Sequence, residues 1–456
     1  MAADAKRAPV TFDPTAFGTF RFLAREIDAH GRVTLRYALD DEVILVEEFD
    51  LPVEGELTEM QREEVDGLLS LLHWVAGVSY FKTALPPRVS LETGAPPPAT
   101  AALLEALYSE GLGELAYTNN LAALPRPSFP HGPPPAVGPR GGTDLYRLLV
   151  PVGGGKDSAV AIEIARCQGR DVTLFSIGDA APIARTVAVA GLPHLLARRR
   201  LDPGLRALNE AGAINGHVPI TAIVSCVALL AAALNGLNTV AMANERSASS
   251  GNVSWDGIEV NHQFSKSLRA ERLLSAAAAE TAPGLRVLSL LRPASELAIT
   301  RAFARMDGYH AAFTSCNAIF RLDPALRAAS WCCECPKCRF VFLALAPFST
   351  PAHLREVFGR DLLDEEDQLE GFALLTATGG HKPFECVGEE QESLAAIRLL
   401  VRDSRWSGHR VVRRLAEEVL PQRTSDEGDP DAVLALSDEH DVPAALMADV
   451  RAILGA

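Results

Sequence analysis

A glycine-rich segment carries the first chemical signal in the chain. It reads Val152-Gly153-Gly154-Gly155-Lys156-Asp157-Ser158, after an apolar run typical of a strand and before a helical pattern. Glycines at such a junction let backbone N–H groups approach an anion, and the helix N-terminus adds partial positive charge. The order fits neither GxxxxGK[ST] nor GxGxxG. On the residues alone, a plain glycine-rich turn is the alternative to an anion site.

A cysteine cluster is the second signal. Cys332, Cys335 and Cys338 are separated by two residues each, and Cys316 is a more distant candidate. Such spacing lets thiolates converge on one ion, and zinc takes four tetrahedral ligands. The alternative is a set of small buried thiols on a helix that runs into the apolar segment 340–345.

Polar residues stand at two further loop positions. One group precedes a long Ala-rich helical pattern, and the other follows a predicted strand, where open α/β sheets bind ligands. Helix capping explains each residue singly, but together they predict a substrate pocket. Glu245 could hold magnesium, and basic side chains could hold a carboxylate or phosphate. The residues expected to contact substrate are His217, Asn244, Arg246 and Lys266.

The segment 379–388 combines an imidazole, a carboxylate and a thiol between glycines. It reads Gly-Gly-His381-Lys-Pro-Phe-Glu385-Cys386-Val-Gly. These group types can move protons near neutral pH. An ordinary surface loop with a chance cysteine is the alternative.

Strands and helices alternate from residue 144 onward, which predicts a parallel, doubly wound sheet. The predicted strands cover 145–152, 171–177, 194–197, 239–243, 287–291 and 311–314, and the predicted helices cover 156–168, 220–234 and 262–280.

The residues before this region follow another pattern. Apolar and polar residues alternate over 17–52, which predicts an antiparallel meander, and helical spacing follows at 61–75. The proline-rich run 125–142 marks a connection. We therefore divide the chain into an N-terminal α+β domain (1–140), an α/β domain that contains the glycine segment (141–340) and a mostly helical C-terminal region (341–456).

Composition limits the class of protein. The net charge of −15 over 456 residues gives no long-range attraction for nucleic acid. The N-terminus lacks the apolar run of a signal peptide, and the longest apolar stretch, 221–237, is too short to span a bilayer. Clustered cysteines indicate reduced thiols or metal. We expect a cytoplasmic protein without a nucleic-acid or membrane partner.

The glycine segment resembles the PP-loop, normally Ser-Gly-Gly-x-Asp-Ser, of enzymes that split ATP into AMP and pyrophosphate. Gly153 stands where that motif has its first serine. The resemblance implies a PP-loop, Rossmann-like fold that uses ATP and Mg²⁺, with Ser176 facing the adenine. The residues implied to bind ATP and magnesium are Gly153, Gly154, Gly155, Lys156, Asp157, Ser158, Ser176 and Glu245. Some PP-loop enzymes also carry zinc in a similar cysteine array.

Over most of its length the chain is similar to the MurL family, the UDP-N-acetylmuramoyl-L-alanyl-L-glutamate epimerases of bacterial peptidoglycan synthesis. The segments that carry this resemblance are 151–158, 244–247, 315–317, 332–338 and 381–388. It implies an ATP-dependent conversion of the terminal L-Glu of a nucleotide-sugar dipeptide to D-Glu, with release of AMP and diphosphate. A ligase that adds L-Glu to UDP-MurNAc-L-Ala is the implied functional partner.

Such a reaction requires groups that carry protons. Adenylation turns the glutamate carboxylate into a mixed anhydride, so its Cα proton becomes far more acidic. The candidate proton carriers, in falling order, are Cys386, Glu385, His381 and Cys316.

Two other classes of function stay open. Another PP-loop enzyme could adenylate a carboxylate for amide formation or modify a tRNA or nucleobase, although the acidic charge counts against tRNA. A nucleotide-sensing module would bind ATP without forming pyrophosphate.

Overall fold

The computed structural model describes residues 11–53, 55, 58–134, 147–255, 257–320, 325 and 327–455. Within these residues the strands are β1 (Thr19–Ile27), β2 (Arg32–Leu39), β3 (Val43–Asp50), β4 (Arg88–Leu91), β5 (Arg147–Pro151), β6 (Asp171–Ile177), β7 (His194–Arg200), β8 (Thr239–Met242), β9 (Val253–Trp255), β10 (Ile258–Val260) and β11 (Arg286–Ser289).

The helices up to β11 are α1 (Glu59–Ala76), α2 (Val78–Phe81), α3 (Pro98–Tyr108), α4 (Gly113–Thr118), α5 (Lys156–Ala165), α6 (Ala181–Ala190), α7 (Gly204–Ala211), α8 (Ile220–Leu234) and α9 (Leu268–Thr281). Those that follow are α10 (Glu296–Phe303), α11 (Asp307–His310), α12 (Pro336–Leu345), α13 (Pro351–Phe358), α14 (Leu369–Leu374), α15 (Glu390–Arg402), α16 (Arg410–Glu418), α17 (Pro430–Leu434) and α18 (Ala444–Leu454). The described part of the chain after Pro336 contains helices and loops but no strand, as predicted.

A nine-stranded sheet joins most of the described strands in the order β11-β8-β5-β6-β7-β3-β2-β1-β4. Strands β11, β8, β5, β6 and β7 pair in parallel, which confirms a mixed α/β chain with a large, mostly parallel sheet. Strands β5 and β8 are neighbours although two strands separate them along the chain. Their carboxyl ends flank the crevice where open α/β sheets bind ligands.

The other end of the sheet is the predicted antiparallel meander of β1, β2 and β3. Its alternate residues, such as Phe20 and Phe22 of β1, are fully buried. An antiparallel pair between β3 and β7 connects the meander to the parallel strands. The predicted domain boundary at 140/141 falls within 135–146, outside the described residues.

Each face of the sheet is covered by its own core. Leu148 and Val150 of β5 belong to a core that includes α5, α10 and α12, whereas Leu149 packs in a core with α1 and α8. Helix α8 is buried along most of its length, and its bounds match the predicted 220–234. None of the helices in the described ranges has the length and apolar character needed to cross a membrane.

Several predicted elements differ from the structure in their bounds, and one is not formed. Helix α5 ends at Ala165, because a 3₁₀ turn with left-handed backbone at Gln168 follows it. Helix α9 starts at Leu268 instead of 262, since the Ser267 hydroxyl caps it. The predicted strand 311–314 is wrong: these residues form a turn and loop after α11.

Candidate active site

The glycine loop lies between β5 and α5 at the crevice. The N–H of Gly153 donates to Ser158 Oγ at 3.0 Å, which closes the loop on the first turn of α5. Gly154 has φ +81°, and a Cβ there would lie 2.7 Å from Pro182. On Gly155 a Cβ would lie 2.7 Å from Ser315 Oγ. Glycine is therefore required at the second position by backbone geometry and by close backbone neighbours, whereas a side chain at the third position would have to displace the Ser315 hydroxyl.

Lys156 lies behind this loop in a buried ion-pair group. Its ammonium donates to the carboxylates of Asp157 and Glu296, and only 1% of its side chain is exposed. Burial would raise the pKa of Glu296, but Lys156, Lys337 and Lys266 lower it to about 2. Lys156 thus connects the glycine loop to Glu296 at the start of α10. The predicted direct contact between the Lys156 ammonium and an ATP phosphate stays a prediction.

A cleft of ≈ 770 Å³ opens beside the loop at the carboxyl ends of β5, β6 and β8. It brings together many of the residues predicted from sequence. The predicted residues that line it are Gly153, Gly155, Asp157, Ser158, Ser176, Asn244, Lys266 and Cys386. Lys337, which sequence analysis missed because it lies inside the cysteine motif, also lines the cleft. Ser176 is held in place, with Oγ 2.9 Å from both Gly178 O and His194 Nε2.

Arg292 positions the polar loops beside the cleft. This fully buried guanidinium donates to the backbone oxygens of Glu245 and Lys266, and to the carboxylate of Glu271. It therefore ties the loop after β8 to the turn that carries Lys266. Burial raises the pKa of Glu245 to about 7, although the Lys266 ammonium opposes that shift. Nothing in the sequence around Arg292 pointed to this role.

Arg246 faces away from the cleft. Its guanidinium donates to the backbone oxygens of Val433 and Ala435, each at 3.2 Å. In this structure the side chain predicted to hold substrate instead fastens the C-terminal helices to the loop after β8.

Cys386 is the one of the four candidate proton carriers that lines the cleft. Its Sγ lies 3.5 Å from Lys266 Nζ, and its backbone oxygen accepts a hydrogen bond from Lys337 Nζ. Burial raises the pKa of Cys386, but the Lys266 ammonium, a hydrogen bond from His262 and the Lys337 ammonium lower it to about 6. This thiol can therefore serve as a thiolate base near neutral pH.

The other candidates on the same loop are placed differently. His381 is exposed to solvent. Glu385 accepts a hydrogen bond from the backbone N–H of Lys337 at 3.1 Å, and burial raises the pKa of this carboxyl. Both residues lie outside the set that lines the cleft.

Two histidines and a glutamate adjoin Cys386. His217, from the loop before α8, and His262 have ring centroids 4.3 Å apart, and His262 Nδ1 donates to the carboxylate of Glu114 on α4. Burial and the neighbouring His262 lower the pKa of His217 to about 4. Burial would lower the pKa of His262 as well, but hydrogen bonds with Cys386 and Glu114 raise it to about 9. No sequence motif marks Glu114.

Cys316 joins the clustered cysteines instead of the cleft. The Sγ atoms of Cys316, Cys332, Cys335 and Cys338 all lie within 4.8 Å of one another. Four sulfurs at about 2.3 Å from one zinc ion would be about 3.8 Å apart, so the spacing fits a tetrahedral site. The fifth thiol of this region, Cys333, points away and contacts Phe358 O at 3.4 Å.

Two family models match this chain, one over the part that contains the sheet and one over the part that contains the cysteine cluster. The family model described as MurL N-terminal domain matches residues 11–290, a range that contains the whole nine-stranded sheet. The model described as MurL C-terminal domain matches 312–429, which contains the four thiols and the loop of Cys386. The chain belongs to the MurL family. No solved structure matches it.

Three curated relatives extend the likeness to nearly the full chain. Each carries the name UDP-N-acetyl-alpha-D-muramoyl-L-alanyl-L-glutamate epimerase. The relative from Xanthomonas oryzae pv. oryzae is 42% identical over 97% of this chain and 98% of its own. Those from Salinispora tropica and a Micromonospora species are 48% and 46% identical, over 85% and 88% of this chain and 86% and 90% of their own. The MurL-family assignment therefore covers the glycine loop and the Cys386 loop together.

Proposed function

We propose that this protein is an ATP-dependent epimerase that converts the terminal L-Glu of UDP-MurNAc-L-Ala-L-Glu to D-Glu in peptidoglycan precursor synthesis. The observation that carries the proposal is that one cleft holds both the glycine loop and Cys386. A relative named as this epimerase aligns over 97% of the chain.

The glycine loop binds the phosphates of ATP in this proposal, as the PP-loop resemblance implies. The first turn of α5 lines the cleft, and its free backbone N–H groups and helix end supply positive charge there. Asp157, which lines the cleft, and Glu245 would hold Mg²⁺, whose oxygen preference matches carboxylates. Bound magnesium supplies charge neutralisation on the phosphates. The ammonium groups of Lys266 and Lys337, which also line the cleft, add to it.

The chain's own residues then move the proton. The substrate carboxylate attacks the α-phosphorus of ATP, which releases diphosphate and leaves an acyl-adenylate. The Cys386 thiolate takes the Cα proton, so that a C–H bond breaks, an S–H bond forms and the electron pair moves to the acyl oxygen. The Lys266 ammonium, 3.5 Å from Cys386 Sγ, lies where it can stabilise that negative charge. Return of a proton to the opposite face and hydrolysis of the anhydride give the D-Glu product and AMP.

The four thiols hold a structural zinc ion in this proposal. Zinc there connects the segment after Thr314, whose N–H donates to Gly154 O at 2.9 Å, to the N-terminus of α12, which is capped by Cys335. The site therefore supports the glycine loop from one side and the Cys386 loop from the other. No proton-transfer step depends on it.

The proposed reaction also requires another enzyme that makes its substrate. A ligase that attaches L-Glu to UDP-MurNAc-L-Ala must provide the substrate, and this ligase is the expected functional partner. Free thiols at all eight cysteines fit a reducing cytoplasm.

The test is incubation with ATP, Mg²⁺ and UDP-MurNAc-L-Ala-L-Glu in D₂O. We expect AMP, diphosphate and a D-Glu product with one deuterium at Cα, and no product when ATP is omitted. AMP without deuterium at Cα would support a different carboxylate-adenylating enzyme. Absence of AMP despite ATP binding would support a nucleotide-sensing module.

A further inference from the structure

We propose that Glu114 and His262 are positioning residues that hold Cys386 as a thiolate, in a Cys–His–Glu triad built from three separate parts of the chain. The proposal deepens the epimerase function and rests on it for the role of the thiolate. Glu114 comes from α4 in the N-terminal part, His262 from the segment before α9, and Cys386 from the C-terminal loop.

The contacts follow the order of a triad. The imidazole of His262 donates to the Glu114 carboxylate, and the Cys386 thiol lies close enough to the same imidazole for each group to shift the pKa of the other. Only 13% of the His262 side chain and 14% of the Glu114 side chain are exposed, so water competes weakly for these bonds. A carboxylate on one side of an imidazole favours its protonated form, and an imidazolium on the other side favours a thiolate.

Asn252 fixes the distance between the two loops involved. Its side-chain oxygen accepts from the N–H of His262 at 2.9 Å, and its side-chain nitrogen donates to Pro383 O at 3.0 Å. Asn252 thus hydrogen-bonds both the backbone of His262 and the loop that carries Cys386. This clamp explains how groups from distant parts of the chain keep hydrogen-bond distance.

The charges that face Cys386 are mostly positive. Lys266 lies 3.5 Å from its sulfur, Lys337 contacts its backbone oxygen, and His262 is the third cationic group. Glu385 precedes it in the chain, but that carboxylate accepts from the Lys337 backbone. The ring of His217 packs at a tilt against His262, and His217 stays neutral near pH 7 because burial lowers its pKa to about 4. In the triad, His262 is the histidine whose charge matters.

A metal site is the competing interpretation of this cluster. Donor atoms of Glu114, His217 and His262 lie within 4.8 Å of one another. A metal ion would need the oxygen and nitrogen that the Glu114–His262 hydrogen bond already uses. The Lys266 ammonium, which faces Cys386 and influences His217, also disfavours a cation here. These contacts favour the triad.

The test measures the reactivity of Cys386 with iodoacetamide as a function of pH, with the modified peptide quantified by mass spectrometry. In the unaltered protein we expect half-maximal alkylation of Cys386 near pH 6. His262→Asn should move that midpoint upward by at least about one pH unit, and Glu114→Gln should move it less. His131→Asn, at an exposed histidine, is the matched control and should leave the midpoint unchanged.

Two further readouts separate the interpretations. Both variants should still form AMP at neutral pH, while deuterium incorporation at Cα falls and recovers as pH rises. An unchanged alkylation midpoint in both folded variants would overturn the triad. So would a second zinc ion per chain, lost in His262→Asn. If the unaltered protein forms no deuterated D-Glu product, the proposed function fails, but the alkylation result still decides the triad.

Discussion

The backbone N–H of Lys337 donates a 3.1 Å hydrogen bond to the carboxylate of Glu385. Lys337 lies in the first turn of α12, between two of the clustered cysteines, and Glu385 precedes Cys386. The Lys337 ammonium also reaches the backbone oxygen of Cys386. Any displacement of the thiol cluster should therefore move the loop that presents Cys386 to the cleft.

Substitution of the second loop glycine should abolish ATP turnover. Gly154→Ala forces a side chain into left-handed backbone, which costs about 1–3 kcal/mol, and puts its Cβ 2.7 Å from Pro182. Gly153→Ala is the matched control, because its Cβ would meet only Ser158 Oγ at 3.9 Å. AMP formation and thermal melting of both variants check this. Equal activity of the two would contradict the role given to the loop.

The thiol cluster should hold one zinc ion per chain. Cys316→Ser and Cys335→Ser should each lose zinc and thermal stability, because three ligands bind the ion more weakly than four. Cys333→Ser should keep the metal, since that thiol points away from the other four. Elemental analysis of the three variants measures the outcome. Zinc absent from the unaltered protein would favour buried thiols.

Removal of the Cys386 thiol should separate the two halves of the reaction. Cys386→Ala should still release diphosphate, because the hydrogen bond of the sulfur is with Lys266 and not with the glycine loop, but should slow deuterium incorporation at Cα by at least about a hundredfold. Diphosphate release and Cα deuterium are measured on the same samples. If both rates fall together, Cys386 positions substrate; if neither falls, the base is another residue.

Acid should destabilise the protein partly through His73. Burial lowers the pKa of this histidine to about 4 from an ordinary value of 6.5, and its Nε2 donates to Arg36 O at 3.1 Å. As the pH falls, His73 in the unfolded chain binds a proton at a higher pH than His73 in the folded protein does. The free energy of unfolding is therefore unaffected by this histidine above pH 6.5 and decreases as the pH drops toward 4. The loss amounts to about 3 kcal/mol.

Urea unfolding at several pH values tests this linkage. His73→Gln, which keeps a hydrogen-bond donor, should show a shallower loss of stability between pH 6.5 and 4 than the unaltered protein. His30→Gln, at an exposed histidine of the β1–β2 turn, should not change the slope. An identical slope for all three proteins would show that His73 is not the group responsible.

Local periodicity was enough to predict most of the parallel sheet. Strands β6 and β8 and helix α8 agree closely with their predicted ranges, because a strand or helix with a buried face repeats apolar residues at its own spacing. Residues 311–314 show where this fails. A four-residue apolar run carries no periodicity, and here Thr314 bonds the Gly154 backbone instead of joining the sheet.

The site was predictable where residues form a motif. The glycine loop, the clustered cysteines and Cys386 could all be found from sequence, and Cys316 could be named both as a distant candidate for the thiol site and as a candidate proton carrier. Glu114 and Arg292 could not be found, because each acts through contacts with distant segments. Glu114 lies 148 residues from His262 along the chain, and no local pattern encodes such a pair.

Strand β7 is paired on both sides, with β6 in parallel and with β3 in antiparallel register. A shortened chain that began at Arg147 would lose β3 and expose the backbone N–H and C=O groups along that edge of β7. Such open edges recruit other chains and cause aggregation. Arg199 would also lose Glu47, its ion-pair partner at 2.5 Å. The cleft beside the glycine loop therefore cannot be isolated as a stable shorter fragment, because the N-terminal meander protects the sheet from self-association.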